Sequence, residues 1–159
     1  MKFGRPSDRC LRQLQSGLRP NGVLEGANVS ADIPELHFRA GLPGFPGERR
    51  FALVRWGANE GPYSVLVDLD DTDIRFLVAP PALFFPQYEI ELDDRSVGQL
   101  ALGAPDEALV LMIVTLGDKP EDATANLLGP IVINTRTREG LQIVLPEAGW
   151  STKVPLLAA

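Results

Sequence analysis

Cysteine and histidine, the side chains most often used for metal ligation and nucleophilic catalysis, occur once each in 159 residues. With Cys10 alone, a disulfide scaffold is excluded, and a reducing compartment is the easier reading. The usual zinc spacings cannot be written with one His and one Cys. A Ser–His–Asp or Cys–His arrangement would have to use His37. That residue sits in ELHFRA, where Leu36 and Phe38 point to the opposite face, so it reads as a solvent-facing strand residue. Cys10 has no thiolate-stabilising motif beyond nearby arginines and reads as inert. Long apolar runs are missing as well. Nothing approaches the roughly 20 residues needed to span a bilayer. The opening MKFGRPSDRCLRQLQSG has basic residues but no continuous apolar stretch, so no secretory signal is expected. A cytoplasmic protein without a membrane partner is the expectation, and the sequon Asn28-Val29-Ser30 then carries no meaning.

Two further motifs fail on inspection. GLPGFPG at 41–47 has glycines but no helix pattern after it and no Lys-Ser/Thr, which rules out a phosphate-binding loop; a tight turn needing positive φ explains it. DLDDTD at 68–73 invites a calcium test. With Asp68 at position one, Asp70 fits position three, but Asp73 falls at six, where Gly is required. Position twelve is Ala79 instead of a bidentate Glu. The run reads as a solvated turn or, alternatively, as an acidic docking patch. No cofactor is implied by any of this.

What is present fits one globular domain. A chain of this length can bury about two-thirds of its unfolded surface without a staple, and its 45% hydrophobic and 23% charged content is ordinary for that class. The net charge of −6 is unevenly spread: residues 1–24 carry +4, leaving −10 on the remaining 135. A body this acidic repels phosphate backbones and complements a basic protein. Direct nucleic-acid binding is not expected. Residues 1–24 read as a flexible basic N-terminal extension or a docked arm. Within it Ser7 caps a short helix with Cys10, Leu11 and Leu14 on one face, which Pro20-Asn21-Gly22 breaks.

From residue 25 to 159 the texture is that of a single β-domain. The apolar runs LHFRA, RFALVRW, PYSVLVDL, DIRFLVAP, QYEIEL, ALVLMIVTL, GPIVIN and LQIVLP recur between turn signals. This predicts a small antiparallel β-barrel-like domain with at most one or two short helices. Tyr88, Ile90 and Leu92 share one face, with Glu89 and Glu91 on the other. ALVLMIVTL is apolar on both faces and reads as a central strand. DDRSVGQLAL is the one helical stretch, with Asp93 or Asp94 as cap and Val97, Leu100 and Ala101 inward.

Three blocks in one collinear order carry a resemblance. AGLPGFPGERRFALV at 40–54, VLVDLDDTDIRFLVAPPALFFPQYEIEL at 65–92 and TANLLGPIVINTRTREGLQIVL at 124–145 resemble the flagellar assembly factor FliW family over about residues 28–157. The resemblance implies a cytoplasmic, cofactor-free β-barrel-like protein that binds CsrA, a basic mRNA-binding dimer, and flagellin. It implies allosteric antagonism of CsrA that relieves repression of flagellin translation, with flagellin itself sequestering the antagonist. The chain departs from the family at Val67-Asp68, where Gln-Ser is usual, and in its basic extension.

Candidate partner-binding residues are the acidic turn Asp68, Asp70, Asp71 and Asp73, with Phe84, Phe85 and Tyr88 as aromatic anchors; the alternative is that Phe84 and Phe85 plug the barrel end. Gly41, Gly44, Phe45, Asn126, Pro130, Asn134 and Gln142 read as the structural motif. TANLLGPIVIN reads as two strand pieces hinged at Gly129-Pro130, with Leu127, Leu128, Ile131 and Ile133 as core and the two asparagines tying neighbouring turns. Two other function classes compete with the binding protein: an enzyme built on the Asp68–Asp73 carboxylates, which would need a pocket and split pKa values, and an RNA-binding small barrel, for which aromatics at 7% and a negative body are a poor start.

Overall fold

The period-2 alternation of the apolar runs places one set of side chains on each face of a sheet, and the sheet that results is almost closed. The computed structural model describes residues 2–3, 35–56, 61–145 and 149–156. Its strands are β1 (Lys2–Phe3), β2 (Leu36–Phe38), β3 (Gly41–Leu42), β4 (Phe45–Pro46), β5 (Arg49–Arg55), β6 (Ser64–Asp68), β7 (Arg75–Ala79), β8 (Ile90–Glu91), β9 (Ala108–Thr115), β10 (Thr124–Asn134), β11 (Gly140–Gln142) and β12 (Val154–Pro155). The single α-helix among the described residues, α1, spans Asp94–Gln99, and three short 3₁₀ turns start at Pro81, Pro105 and Pro120. β1 pairs antiparallel with β8. Most of the expected N-terminal extension, including the helix around Cys10, lies outside the described residues.

The main sheet has eight strands in the order β11-β10-β9-β7-β6-β5-β2, with β12 on β10. Its two edges meet: the His37 N–H donates to the Arg138 carbonyl at 2.9 Å, and His37 forms a parallel bridge with Glu139. The edges can come this close because Gly140 has no side chain. A Cβ there would run into the Phe38 ring, which is completely buried. Closure removes the exposed strand edges that otherwise invite aggregation.

The inward faces of β2, β5, β6, β7, β9 and β10 fill the barrel with Leu36, Phe38, Phe51, Leu53, Leu66, Val78, Leu109, Leu111, Ile131 and Ile133. A second apolar layer lies on the outer face of β7, β9 and β10, where Ala79, Ala108, Val110, Met112, Val132, Tyr88, Ile90, Leu92 and Leu100 pack together. β9 therefore is covered on both sides, as its unbroken apolar run implied. Burying each such Leu or Ile contributes about 1.5–3 kcal/mol. The alternation in QYEIEL holds: Tyr88, Ile90 and Leu92 are buried while Glu89 and Glu91 are exposed.

β10 is one continuous strand, not two hinged pieces, but it contains a large irregularity. Asn126 pairs with Ile113 and Ile131 with Leu111, so four residues of β10 stand where β9 has one. The three extra residues reverse the parity of the strand. Ala125 and Leu127 face the outer layer, whereas Ile131 and Ile133, also odd-numbered, face the barrel interior. One strand thus feeds both cores. Pro130, lacking an N–H, sits inside the bulge where no ladder donor is required. The bulge backbone is satisfied by side-chain amides: Asn126 Oδ1 accepts from the Gly129 N–H at 2.9 Å, and Gln142 Nε2 donates to the Gly129 carbonyl at 2.9 Å. Leu128, expected in the core, is only half-buried.

Asn134 is completely buried, and its amide is fully used. Nδ2 donates to the Leu100 and Ala101 carbonyls at 2.7 and 3.2 Å. These sit at the C-terminal end of α1, where carbonyls have no intrahelical donor. Oδ1 accepts from the Arg136 and Thr137 N–H groups at 2.9 and 3.2 Å, holding the turn into β11. Asp93 caps the other end of α1, accepting from the Ser96 N–H at 2.7 Å. Ala101, expected to face inward, is exposed and takes φ 50 in the turn that ends α1, where the Leu102 N–H donates back to the Val97 carbonyl at 3.1 Å. The GLPGFPG turn is the hairpin β3–β4, with Leu42 opposite Phe45 and with Gly41 and Gly44 at φ +67 and +83. It lays Leu42 and Phe45 over the barrel interior.

A candidate partner-binding surface at the two ends of the barrel

Antiparallel pairing sorts the loops to two ends. One end collects the start of β5, the β6–β7 turn, the end of β9 and the start of β10. The other collects the end of β5, the start of β6, the end of β7, the start of β9 and the β10–β11 turn. The acidic turn lies at the first end and Phe84 and Phe85 at the second, separated by the five residues of β7, roughly 15 Å. The sequence-predicted contact residues therefore do not form one patch.

The first end is a lattice of paired charges. Asp68 is 0% exposed and serves the scaffold. Its Oδ2 accepts from Arg49 Nη1 at 2.6 Å, and its Oδ1 accepts from the Asp70 and Asp71 N–H groups at 2.8 and 3.1 Å. Its burial takes it out of any exposed contact set. Arg50 pairs with Asp70 at 2.7 Å and with Glu35 at 3.2 Å, whereas Arg39–Glu139 lies at the seam and Arg136–Glu107 beside the start of β9. The Arg50 hydrogen bond holds the Asp70 carboxyl below the usual carboxylate range, and Asp70 in turn raises Arg50. Asp71 and Asp73 are exposed; Asp71 Oδ1 accepts from the Asp73 N–H at 3.2 Å, an arrangement that shapes the turn. Arg75 closes it from outside through the Thr72 carbonyl at 2.6 Å. Interleaved arginines leave this run far less negative than DLDDTD alone implied. The departure at Val67-Asp68 falls on two buried residues, so it alters the footing of the turn and not its exposed rim.

A cleft of about 440 Å³ lies at the seam of the barrel, lined by His37, Arg39, Glu48 and Glu139. His37 points away from the buried Leu36 and Phe38, as expected. The carboxylates of the acidic turn do not line this cleft; Glu48 and Glu139 do. Among the described residues no group of three or more His, Cys, Asp or Glu could hold a metal, and no described helix is long and apolar enough to cross a membrane.

The second end is aromatic. Trp56, Tyr63 and Phe84 form a continuous run, with centroids 5.8 Å apart at each step. Trp56 is 47% exposed and Leu83, beside Phe84, is 57% exposed. Phe84 and Phe85 are half-buried against the outer layer, so each both plugs and remains accessible. Tyr88 behaves differently from the expected anchor. It is only 6% exposed, its hydroxyl donates to the Leu127 carbonyl at 2.8 Å, and its ring packs edge-on against Trp150 at 5.1 Å. Burial pushes its hydroxyl pKa up. Alternation gave its inward direction, and anchor status does not follow from aromatic character alone. Trp56, Tyr63 and Leu83 were missed in the sequence. The available signal was the position of Trp56, a bulky aromatic at the end of the apolar run RFALVRW and just before the glycine-bearing sequence GANEG.

A similar architecture and a related sequence occur elsewhere. The family model described as FliW protein matches residues 24–156. The flagellar assembly factor FliW of Geobacillus kaustophilus is 36% identical over 118 residues, covering 74% of this chain and 81% of that protein. That of Desulfitobacterium hafniense is 37% identical over 123 residues, covering 77% and 80%. A crystal structure of the flagellar assembly factor FliW superposes with a TM-score of 0.75 at 34% identity, covering 79% of this chain and 86% of that one. By its barrel, its bulged TANLLGPIVIN strand and this collinear similarity, the chain belongs to the FliW family of flagellar assembly factors.

Proposed function

We propose that this protein acts by contact and not by catalysis: it binds the translational regulator CsrA in the cytoplasm, antagonises it allosterically, and is itself sequestered by flagellin. The observation that carries the reading is the extent of the similarity, which runs through the whole β-domain from residue 24 to 156. The charge balance supports it, since a chain of net −6 complements a basic dimer and speeds encounter with it. So does the use of the acidic turn, where Asp68 and Asp70 are engaged in ion pairs with Arg49 and Arg50.

The test is co-purification of the full chain with CsrA and with flagellin from the same organism, followed by titration calorimetry. A complex with each at micromolar concentration or below is expected, and addition of flagellin should release CsrA. Failure to bind either at micromolar concentrations refutes the reading. A shift of RNA mobility by the protein alone at physiological salt would favour the small RNA-binding barrel instead.

A further inference from the structure

We propose that the acidic strand β8 is a strand-addition surface for a basic, extended segment of the partner, and that the chain's own N-terminal strand β1 occupies it as a removable cover; this rests on the contact reading above and names the edge that carries it. Among the described residues β8 has no strand partner other than β1. The pairing is antiparallel, with Lys2 opposite Glu91 and Phe3 opposite Ile90. A strand edge held by so short a segment is a template that a longer strand can take over.

The edge is acidic and rigidly backed. Glu89, Glu91, Asp93 and Asp94 are all exposed. Residues 89–95 set one cation, Arg95, against these four carboxylates, a net of −3. Among the described side chains the four have no ion-pair partner, unlike Asp68 and Asp70 of the acidic turn. Tyr88, Ile90 and Leu92 alternate with them and are buried in the outer apolar layer, where the Tyr88 hydroxyl is tied to the Leu127 carbonyl at 2.8 Å. An edge fixed in this way loses little freedom on binding.

The chemistry of the occupant comes from the strand already seated there. In strand addition the main-chain hydrogen bonds supply affinity and the alternate side chains supply specificity. The resident strand places an apolar residue at the register position of Ile90 and a cation at that of Glu91. It belongs to an extension that carries +4 over residues 1–24. A partner segment with the same alternation of basic and apolar residues competes for the same edge, because opposite charges facing each other across a ladder are favourable. The FliW family model begins at residue 24, so the cover lies outside the shared β-domain that carries the edge.

The experiment combines backbone hydrogen exchange over residues 88–92 with CsrA affinity by calorimetry, on the full chain and on variants checked by circular dichroism for the parent β spectrum. Lys2→Glu with Phe3→Gly puts like charges opposite each other and weakens the strand, releasing the cover. Exchange over 88–92 should then quicken, and CsrA should bind about five-fold more tightly or better, the scale of one net backbone hydrogen bond. Adding Glu89→Lys and Glu91→Lys to the released variant should reverse that gain and leave binding weaker than in the parent. Adding Asp71→Lys and Asp73→Lys instead changes net charge equally at the acidic turn and should cost no more than about twofold. Equal exchange in the parent and the released variant overturns the cover. Unchanged or weaker CsrA binding after release, or a gain that survives Glu89→Lys with Glu91→Lys, overturns the surface while the functional reading stands. A gain for flagellin alone overturns the assignment to the basic partner. If neither the parent nor the released variant binds either protein, the functional reading fails first and the docking surface with it.

Discussion

Asp68→Asn separates a scaffold role from a contact role. The substitution keeps an acceptor for the Asp70 and Asp71 N–H groups, which approach Oδ1 at 2.8 and 3.1 Å. It removes the negative partner of Arg49, which lies 2.6 Å from Oδ2. Breaking a fully buried ion pair costs about 3–5 kcal/mol because the remaining charge is stranded. Here the Arg49 side chain keeps 25% exposure, its Nε still donates to the Phe45 carbonyl at 3.2 Å, and its guanidinium lies 5.4 Å from the Phe45 ring centre. Those outlets should reduce the loss to about 2–3 kcal/mol, nearer the value of a charge-assisted hydrogen bond. For a domain of this size that is a fall in Tm of roughly 4–12 °C. Urea denaturation of Asp68→Asn, Arg49→Gln and the double variant would measure the coupling, expected at about 2 kcal/mol. CsrA affinity of the folded fraction should stay within about twofold of the parent. A stability loss under about 0.5 kcal/mol, or an affinity loss above about tenfold with stability intact, would refute the scaffold assignment.

Gly140→Ala should cost about 1–3 kcal/mol by forcing the buried Phe38 ring aside at the seam, read as a lower urea midpoint with the slope unchanged. Tyr88→Phe removes the donor to the Leu127 carbonyl and should cost about 0.5–1.5 kcal/mol in the same assay, with CsrA affinity unchanged. Asp70 and Asp93 both have folded-state pKa values below 3.8, so each stabilises the fold above that value, and the contribution is lost as pH falls through the lower folded value. Asp70→Asn should therefore flatten the decline of Tm with pH below 3.8 and leave the pH dependence near neutrality unaltered.

Much of the fold was legible because its signals are local. Strand alternation placed Tyr88, Ile90 and Leu92 inward, and the two-sided apolarity of Ala108–Thr115 marked a central strand. The cap at Asp93 and the glycine hairpin at 41–47 follow from residue chemistry within a few positions. The site was less legible because exposure is a property of the whole molecule. Asp68 and Asp70 are two residues apart and equally acidic. One is fully buried against Arg49, the other lies on the surface against Arg50, and nothing in DLDDTD distinguishes them. Trp56 and Phe84 stand 28 positions apart and are linked through Tyr63 only by the β5–β6–β7 register.

The amino-acid sequence alone determined the β class, the family, and the importance of TANLLGPIVIN, since periodicity, turn residues and motif order are written along the chain. Tertiary structure decided what that strand does. Its three-residue excess over β9 reverses which face each side chain takes, so a single strand supplies both cores. Tertiary structure also decided that the acidic turn and the Trp56–Tyr63–Phe84 run stand at opposite ends of the barrel. Pairing and exclusion from water depend on neighbours that antiparallel register brings together from distant positions, and a linear pattern does not carry that information.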